Sequence, residues 1–544
     1  MTIYNRYLYK YWDIILLLLI IALAALLRTG LLSVPLERDE GEYAYTAQLI
    51  LQGIPPYAEA YSMKMPGIYG VYAILLTVFG KTHTGIHLGL LVVNIVTIFL
   101  LFVWVRSSFD PLAAVVASAS FAVLSLNYSV LGAFANAEHF VILAAVGGTL
   151  LLVKAISSER PQLLLWSGLL FGIAFIIKQH GLAFAAFAAV YLLTAELKCR
   201  PVVWRRSILR WFLFVVGVSL PFGLTCLLFW SFGVFDKFWF WTFTYTQKYV
   251  SLVPLLQGIK LLKGTIFTII SSSIFIFILA VVGFFYLFWN TRYRSKVILV
   301  LLFTVFSWLA VCPGLYFRPH YFVLALPSIA LLSAICISSL YVTLRNRNVA
   351  KFSKILVLLL ILISLFHSVY YQRDYLFHLA PKMVARRIYG LNPFPESLEI
   401  ARYIRENSSQ NDRIAVIGSE PQIYFYANRR AATRYIYTYP LMESHPYASD
   451  MQKEMIYEIE SARPEFLIFV NVMSSWLLRP TSKRTIFFWF RDYQQKYYKT
   501  IGVLDIVSPE KTISRWRDAG LEYSPRSKYW LAIFRRKSET SLQE

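Results

Sequence analysis

The sequence predicts a polytopic α-helical membrane protein of about 11 transmembrane helices carrying a C-terminal extracytoplasmic α/β domain. Three observations lead there. The 544 residues are 58% hydrophobic and only 15% charged, with a mean hydropathy of +0.55, which is too apolar for a soluble chain. Long apolar runs recur up to residue 371 and then stop. Acids are scarce over the same stretch: residues 1–371 hold 27 Lys and Arg but 11 Asp and Glu, whereas the remainder holds 26 and 19. The net charge of +23 is therefore read as basic loops beside a bilayer plus a mildly basic tail. No basic stretch interleaves with a nucleic-acid reader motif, so no nucleic-acid partner is expected.

Arg6 and Lys10 precede the apolar run from Ile14 to Leu27 without a small-x-small cleavage site, as expected for a retained signal anchor with a cytoplasmic N-terminus. Runs able to span follow at 84–105, 112–127, 139–155, 162–178, 180–196, 211–233, 264–289, 297–313, 319–342 and 354–371, after the first at 12–32. The stretch Pro66–Gly80 is apolar too, and charge decides its role. If it does not span, Arg106, Lys154, Arg160, the basic cluster from Lys198 through Arg200 to Arg210, Arg292 to Lys296, and Arg345, Arg347, Lys351 and Lys354 all face the cytoplasm, as the positive-inside tendency requires. Pro66–Gly80 is thus expected to be interfacial or re-entrant in a plasma or inner membrane.

This topology divides the chain into a membrane domain, 1–371, and an outer domain, 372–544. In the latter, helical patterns at Glu396–Glu406 and Asp450–Ser461 alternate with strand-like Arg413–Ile417, Phe466–Val470 and Trp530–Phe534, suggesting an α/β layer. Ile417-Gly418-Ser419-Glu420 has one glycine and predicts no nucleotide site. Cys199, Cys226, Cys312 and Cys336 show no paired spacing, and no disulfide framework or zinc site is expected.

The topology also gathers Asp39, Glu40, Lys64, Glu138, Lys178, His180, Arg318 and His320 on the outer face. Five of the 11 acids before residue 372 fall between Glu37 and Glu59, within a first outer loop (33–83). Its segment Glu42–Gln52 reads as a helix lying on the bilayer surface. Asp39 reads either as an N-cap with Glu42 three residues on or as a general base whose pKa is tuned by desolvation. Lys64 reads as a snorkelling cation or a phosphate ligand. Lys178-Gln179-His180 lies at a hairpin tip, and Arg318-Pro319-His320 is either an interfacial anchor or a phosphate clamp. Glu138 is a solvated loop acid or a carboxylate that orients an acceptor or binds metal. The aromatic run Phe235–Tyr249 suits an interfacial belt, with sugar stacking as an alternative.

The segments RDEGEYAYTAQLILQGIPPY and KMPGIYGVYAILLTVFG, with the later GIAFIIKQHG and RPHYFVLALPSIALL, resemble the GT-C membrane glycosyltransferases, specifically bacterial relatives of protein O-mannosyltransferases and of the lipid A aminoarabinose transferase. The resemblance spans roughly residues 10–370 and implies an inverting transfer of a hexosyl or pentosyl group from a polyprenyl-phosphate donor to an envelope acceptor. It further implies that Asp39 is catalytic with Glu40 beside it and that Lys64 meets the donor phosphate, although Lys64-Met65-Pro66 departs from the commoner Lys-Pro-Pro. Lys178, Arg318 and His320 are the remaining phosphate candidates, and Glu138 and His180 are acceptor or metal candidates. The cofactor requirement stays open, a divalent metal included. A secondary transporter with an outer domain is the alternative, which requires ionisable groups near the midplane and an internal repeat; a non-catalytic envelope scaffold is the third reading.

Overall fold

The computed structural model describes residues 3–198, 204–289, 291–346, 351–517 and 522–538. Cys199, Arg200 and Arg347, and the side chains of Arg6, Lys10 and Lys351, lie outside the described part.

The apolar part begins with α1 (Ile3–Thr29), followed by α2 (Arg38–Ile50), α3 (Gly67–Phe79), α4 (His83–Ser108), α5 (Pro111–Leu126), α6 (Ala137–Ser157), α7 (Gln162–Ile177), α8 (Leu182–Lys198) and α9 (Trp204–Ser231). It continues through α10 (Phe235–Trp239), a π-helical turn at Phe240–Tyr245, α11 (Thr246–Val250), α12 (Leu255–Ser272), α13 (Ile274–Trp289), α14 (Val297–Leu309), α15 (Leu326–Asn346) and α16 (Lys351–Tyr371). Among the described residues seven helices are long and apolar enough to cross a membrane, or up to nine if each of two bent pairs is one span. The chain is a multi-pass membrane protein.

Against the expectation of about 11 spans, the helices differ in length and continuity. The runs at 112–127 and 162–178 form shorter helices of 16 residues each, α5 leading from the Arg106 end of α4 back to the end where α6 begins and α7 from the Lys154 end of α6 back to Lys178. The run at 264–289 is not one element: it breaks at Ser273, and its halves belong to different bent pairs, 93° and 103°. Hydropathy registers apolar length but not a break within it.

After Tyr371 come α17 (Pro381–Tyr389) and α18 (Phe394–Glu406), then β1 (Arg413–Ile417), α19 (Gln422–Ala427), β2 (Arg430–Ala431), α20 (Tyr439–Met442), α21 (Ala448–Ala462), β3 (Phe466–Asn471), α22 (Met473–Trp476), α23 (Thr485–Tyr497), β4 (Tyr498–Ile506), β5 (Thr512–Trp516) and β6 (Trp530–Arg536). The expected strands and helices form β1, β3, β6, α18 and α21. One sheet runs β2-β1-β3-β6-β4-β5. Its first three strands are parallel and the rest pair antiparallel. The carboxyl ends of parallel strands are where open α/β sheets present functional loops. Here the loop after β1 carries Ser419 and Glu420, which meet Arg38 at the start of α2, and α22, directly after β3, carries Ser474, which donates to Asn392 at 2.6 Å.

That meeting overturns the surface-helix expectation for 42–52. Residues Gly41 to Leu49 of α2 are all buried: α19 covers the face bearing Gly41, Tyr45 and Gln48, and α3 packs on the opposite face at Tyr43, where lipid was expected. A Cβ at Gly41 would stand 2.6 Å from the backbone nitrogen of Gln422, so only glycine permits this approach. Arg38 fastens the contact: its guanidinium donates to the Ser419 carbonyl, to Glu420 at 2.5 Å and to Asn392 at 3.0 Å. The hydroxyls of Tyr426 and Tyr45 accept the Leu36 and Ala431 amides at 2.9 and 2.8 Å.

Candidate active site

The helix that carries Asp39 is started by its neighbours. Glu37, not Asp39, is the N-cap: its carboxylate accepts the Glu40 amide at 3.1 Å, and Glu40 accepts the Glu37 amide at 3.2 Å, a reciprocal capping box. The N-cap reading of Asp39 is thereby corrected; relieved of capping, Asp39 faces a cavity. Glu40 turns the other way. It is 0% exposed, lies 3.0 Å from His87 Nε2, and accepts the Ala135 amide at 2.6 Å. It joins α2 to α4 and to the segment before α6, and it does not line the cavity.

The cavity measures about 330 Å³ and lies between the first loop, the Arg318 loop and the sheet domain. Asp39, Glu42, Lys64, Arg318, His320, Tyr249, Tyr437 and Glu443 line it. Lys64 Nζ stands 3.1 Å from Asp39 Oδ2, and the Tyr437 hydroxyl donates to Asp39 Oδ1 at 2.8 Å. The Asp39 and Lys64 side chains remain 22% and 20% exposed, so both open to the cavity. The Lys64 loop is rigid for local reasons. The Tyr57 hydroxyl holds the Lys64 carbonyl at 2.7 Å, and Ser62 bridges the Lys64 amide to Glu42. Gly67 admits the Ile176 carbonyl to 2.5 Å from where a Cβ would sit, so the chain can re-enter the bundle directly after Lys64-Met65-Pro66.

Burial works against ionising Asp39, but Lys64 first, then His320, the Tyr437 hydroxyl and Arg318, outweigh it and hold its carboxyl below the usual range. The same pairing overcomes burial at Lys64 and raises its ammonium. Glu42, one turn beyond Asp39, is pushed up to about 7 by burial, with Lys64 opposing and Asp39 adding; the Tyr69 hydroxyl donates to it at 2.8 Å. Glu443 also reaches about 7 through burial, and Tyr245 donates to it.

Arg318 has no carboxylate ion-pair partner among the described residues. It caps the short helix Pro319–Ala325 and follows two left-handed residues, Leu315 and Phe317, conformations that cost about 1–3 kcal/mol and cluster at ligand clamps. His320 lies 3.9 Å from Glu138. Glu138, Lys178 and His180 are placed behind this wall and do not line the cavity. Lys178 forms a buried ion pair with Glu138 and stands 4.3 Å from the Tyr321 ring centre. His180 Nδ1 is 2.7 Å from the Ala310 carbonyl oxygen. Among the described residues no group of three or more His, Cys, Asp or Glu is arranged to hold a metal.

Sequence reasoning missed Tyr437, Tyr439, Glu443 and Ser474, all from the sheet domain. The alternating tyrosines at 435, 437 and 439 were the available signal, since a strand-like tyrosine run outside the apolar region has no belt to occupy.

The fold and cavity together define a helical membrane bundle whose acid-and-cation pocket is closed by an α/β domain. Residues 64–230 match the family profile described as dolichyl-phosphate-mannose-protein mannosyltransferase. The chain is similar to ArnT from Cupriavidus metallidurans bound to undecaprenyl phosphate, at 14% identity and a TM-score of 0.59, over 86% of this chain and 95% of that one. Against the same protein in the apo state the values are 15%, 0.54, 83% and 92%. It is also similar to the archaeal oligosaccharyltransferase AglB from Archaeoglobus fulgidus in complex with an inhibitory peptide and a dolichol-phosphate, at 12% and 0.54, over 95% and 75%. These likenesses establish the fold. A search of curated proteins found no sequence match.

Proposed function

We propose that this protein is an inverting glycosyltransferase that moves a sugar from a polyprenyl-phosphate-linked donor to an envelope lipid, glycan or protein at the outer face of a plasma or inner membrane. Residues 1–371 form its catalytic membrane part and 372–544 its outer domain. The observation that carries this reading is one cavity wall bearing Asp39 beside Lys64, Arg318 and His320. A carboxylate and a set of cations are what transfer from a lipid phosphate needs. The relatives in fold that hold undecaprenyl phosphate and dolichol-phosphate support the donor class. The transporter alternative has no comparable support.

In the reaction the acceptor oxygen forms a bond to the anomeric carbon as the carbon–phosphate-oxygen bond breaks on the opposite side. The electron pair leaves with the lipid phosphate, and the acceptor proton passes to Asp39. Two of the roughly four lone-pair sites of its carboxylate are taken by Tyr437 and Lys64, leaving room for the acceptor. Arg318 and Lys64 neutralise the departing phosphate. A phosphate that draws Lys64 away from Asp39 also removes the cation that depresses its basicity, coupling donor arrival to base activation.

Lys64→Ala is expected to weaken undecaprenyl phosphate binding by about 10- to 100-fold, the worth of a hydrogen bond to a charged group; equal affinity leaves Lys64 a snorkelling residue. Tyr437→Phe tests positioning. Asp39 acts ionised, so activity falls as pH drops through its pKa. Removing the Tyr437 donor raises that pKa and should move the acid limb of kcat/KM upward by about one pH unit. An unmoved limb contradicts the role.

Orientation follows from charge. Arg106 and Lys154 occupy the last turns of α4 and α6, while His87 and Glu138 near the first turns adjoin the site, so the basic loops and the cavity lie at opposite ends. Protease added to intact spheroplasts should cleave after residue 372; full protection places the domain in the cytoplasm.

A further inference from the structure

A second cavity of about 350 Å³ lies at the junction of α10, the π-helical turn and α21, and Tyr61 lines both it and the catalytic cavity. Three rings from three parts of the chain build its shared end. Tyr61 of the first loop lies 5.1 Å from Trp241 of the π-helical turn and 5.2 Å from Tyr435 of the sheet domain. Glu454 fixes two of them, accepting the Tyr435 hydroxyl at 2.6 Å and the Tyr61 hydroxyl at 3.4 Å. Arg434 donates to the Tyr61 hydroxyl at 2.7 Å. The outer end adds Phe240, packed against Tyr447 at 5.2 Å, and the exposed carboxylate of Asp236, which makes no ion pair among the described residues. The π-helical turn is what serves both cavities at once: it aims Phe240 and Trp241 here and Tyr245 at Glu443 in the catalytic cavity. Such turns recur at functional sites.

The partly exposed rings of Phe240 and Tyr447 beside the exposed carboxylates of Asp236 and Asp450, in a cavity within the usual range of about 300–1,000 Å³ for small-molecule sites, suit one chemistry. The apolar C–H face of a pyranose stacks on a ring while its hydroxyls bond to the acids. We infer that this cavity binds a sugar ring of a glycan substrate adjacent to the ring that reacts, the glycan passing over Tyr61 from one cavity to the other. The inference rests on the glycosyltransferase reading, and its test is independent of turnover.

Saturation-transfer NMR on the full-length protein in nanodiscs, with methyl glycosides of mannose, glucose, galactose and N-acetylglucosamine as probes, should show binding by at least one. Phe240→Leu removes a ring but keeps an apolar side chain, and Asp236→Asn alters an exposed group, so both should fold. Phe240→Leu should weaken the binding by roughly three- to tenfold, the worth of one aromatic contact, and Asp236→Asn should weaken it by removing a charged hydrogen-bond acceptor, whereas Asp39→Asn should not. Absence of binding to the wild type, or equal binding in both variants, overturns the inference. Retained transfer by Asp39→Asn with sugar binding intact instead overturns the catalytic reading alone. Polyprenyl-phosphate mannose separates the sources: a Phe240→Leu defect confined to the free glycosides assigns the ring to the acceptor, and one shared with the lipid-linked sugar assigns it to the donor.

Discussion

Asp39→Asn is expected to lower sugar transfer by about 10²- to 10⁴-fold, the usual worth of a positioned general base, while leaving the fold intact. The substitution keeps the size of the side chain and a carbonyl oxygen that can accept from Tyr437 or Lys64. What it removes is the ability to take a proton. Undecaprenyl phosphate binding should persist, because Arg318 remains and Lys64 loses only its competing partner. Steady-state turnover with a saturating donor measures the effect. A variant that transfers at the wild-type rate denies Asp39 its role as base.

Lys178→Met is expected to act on stability. Lys178 and Glu138 form a buried ion pair with side chains 10% and 0% exposed, and Glu138 Oε2 already lacks a hydrogen-bond partner. Removing one member of such a pair costs about 3–5 kcal/mol because a charge is left buried alone. Thermal unfolding in detergent should show a large loss for Lys178→Met and substantial recovery when Glu138→Gln is added. If Lys178 instead met the donor phosphate directly, stability would hold and donor affinity would fall.

These two residues mark how far the sequence could be read. Charge asymmetry and apolar runs exposed the bundle, and alternation exposed β1, β3 and β6, since both signals are local. β4 and β5 went unread because β4 follows α23 without a break and β5 is only half-buried, with a weak period. Asp39, Lys64, Arg318 and His320 were legible as minority charges at segment ends, and the cavity holds all four. Glu40 and Lys178 carry the same sequence signal yet turn inward, to His87 and Glu138. Spacing along a chain gives the residue type at a helix end but not the direction a side chain takes after a distant element packs on it. Tyr437 and Glu443 are the converse case: they reach the site only because α19 seats the sheet domain on α2.

The most direct test incubates purified protein in nanodiscs with a polyprenyl-phosphate-linked, isotope-labelled sugar and an extract of envelope lipids, glycans and proteins. The expected result is label on an envelope acceptor, one polyprenyl phosphate released for each sugar moved, and an inverted anomeric centre in the product. Label that stays on the donor across a panel of polyprenyl-phosphate sugars, or a product that retains the donor's configuration, contradicts the account.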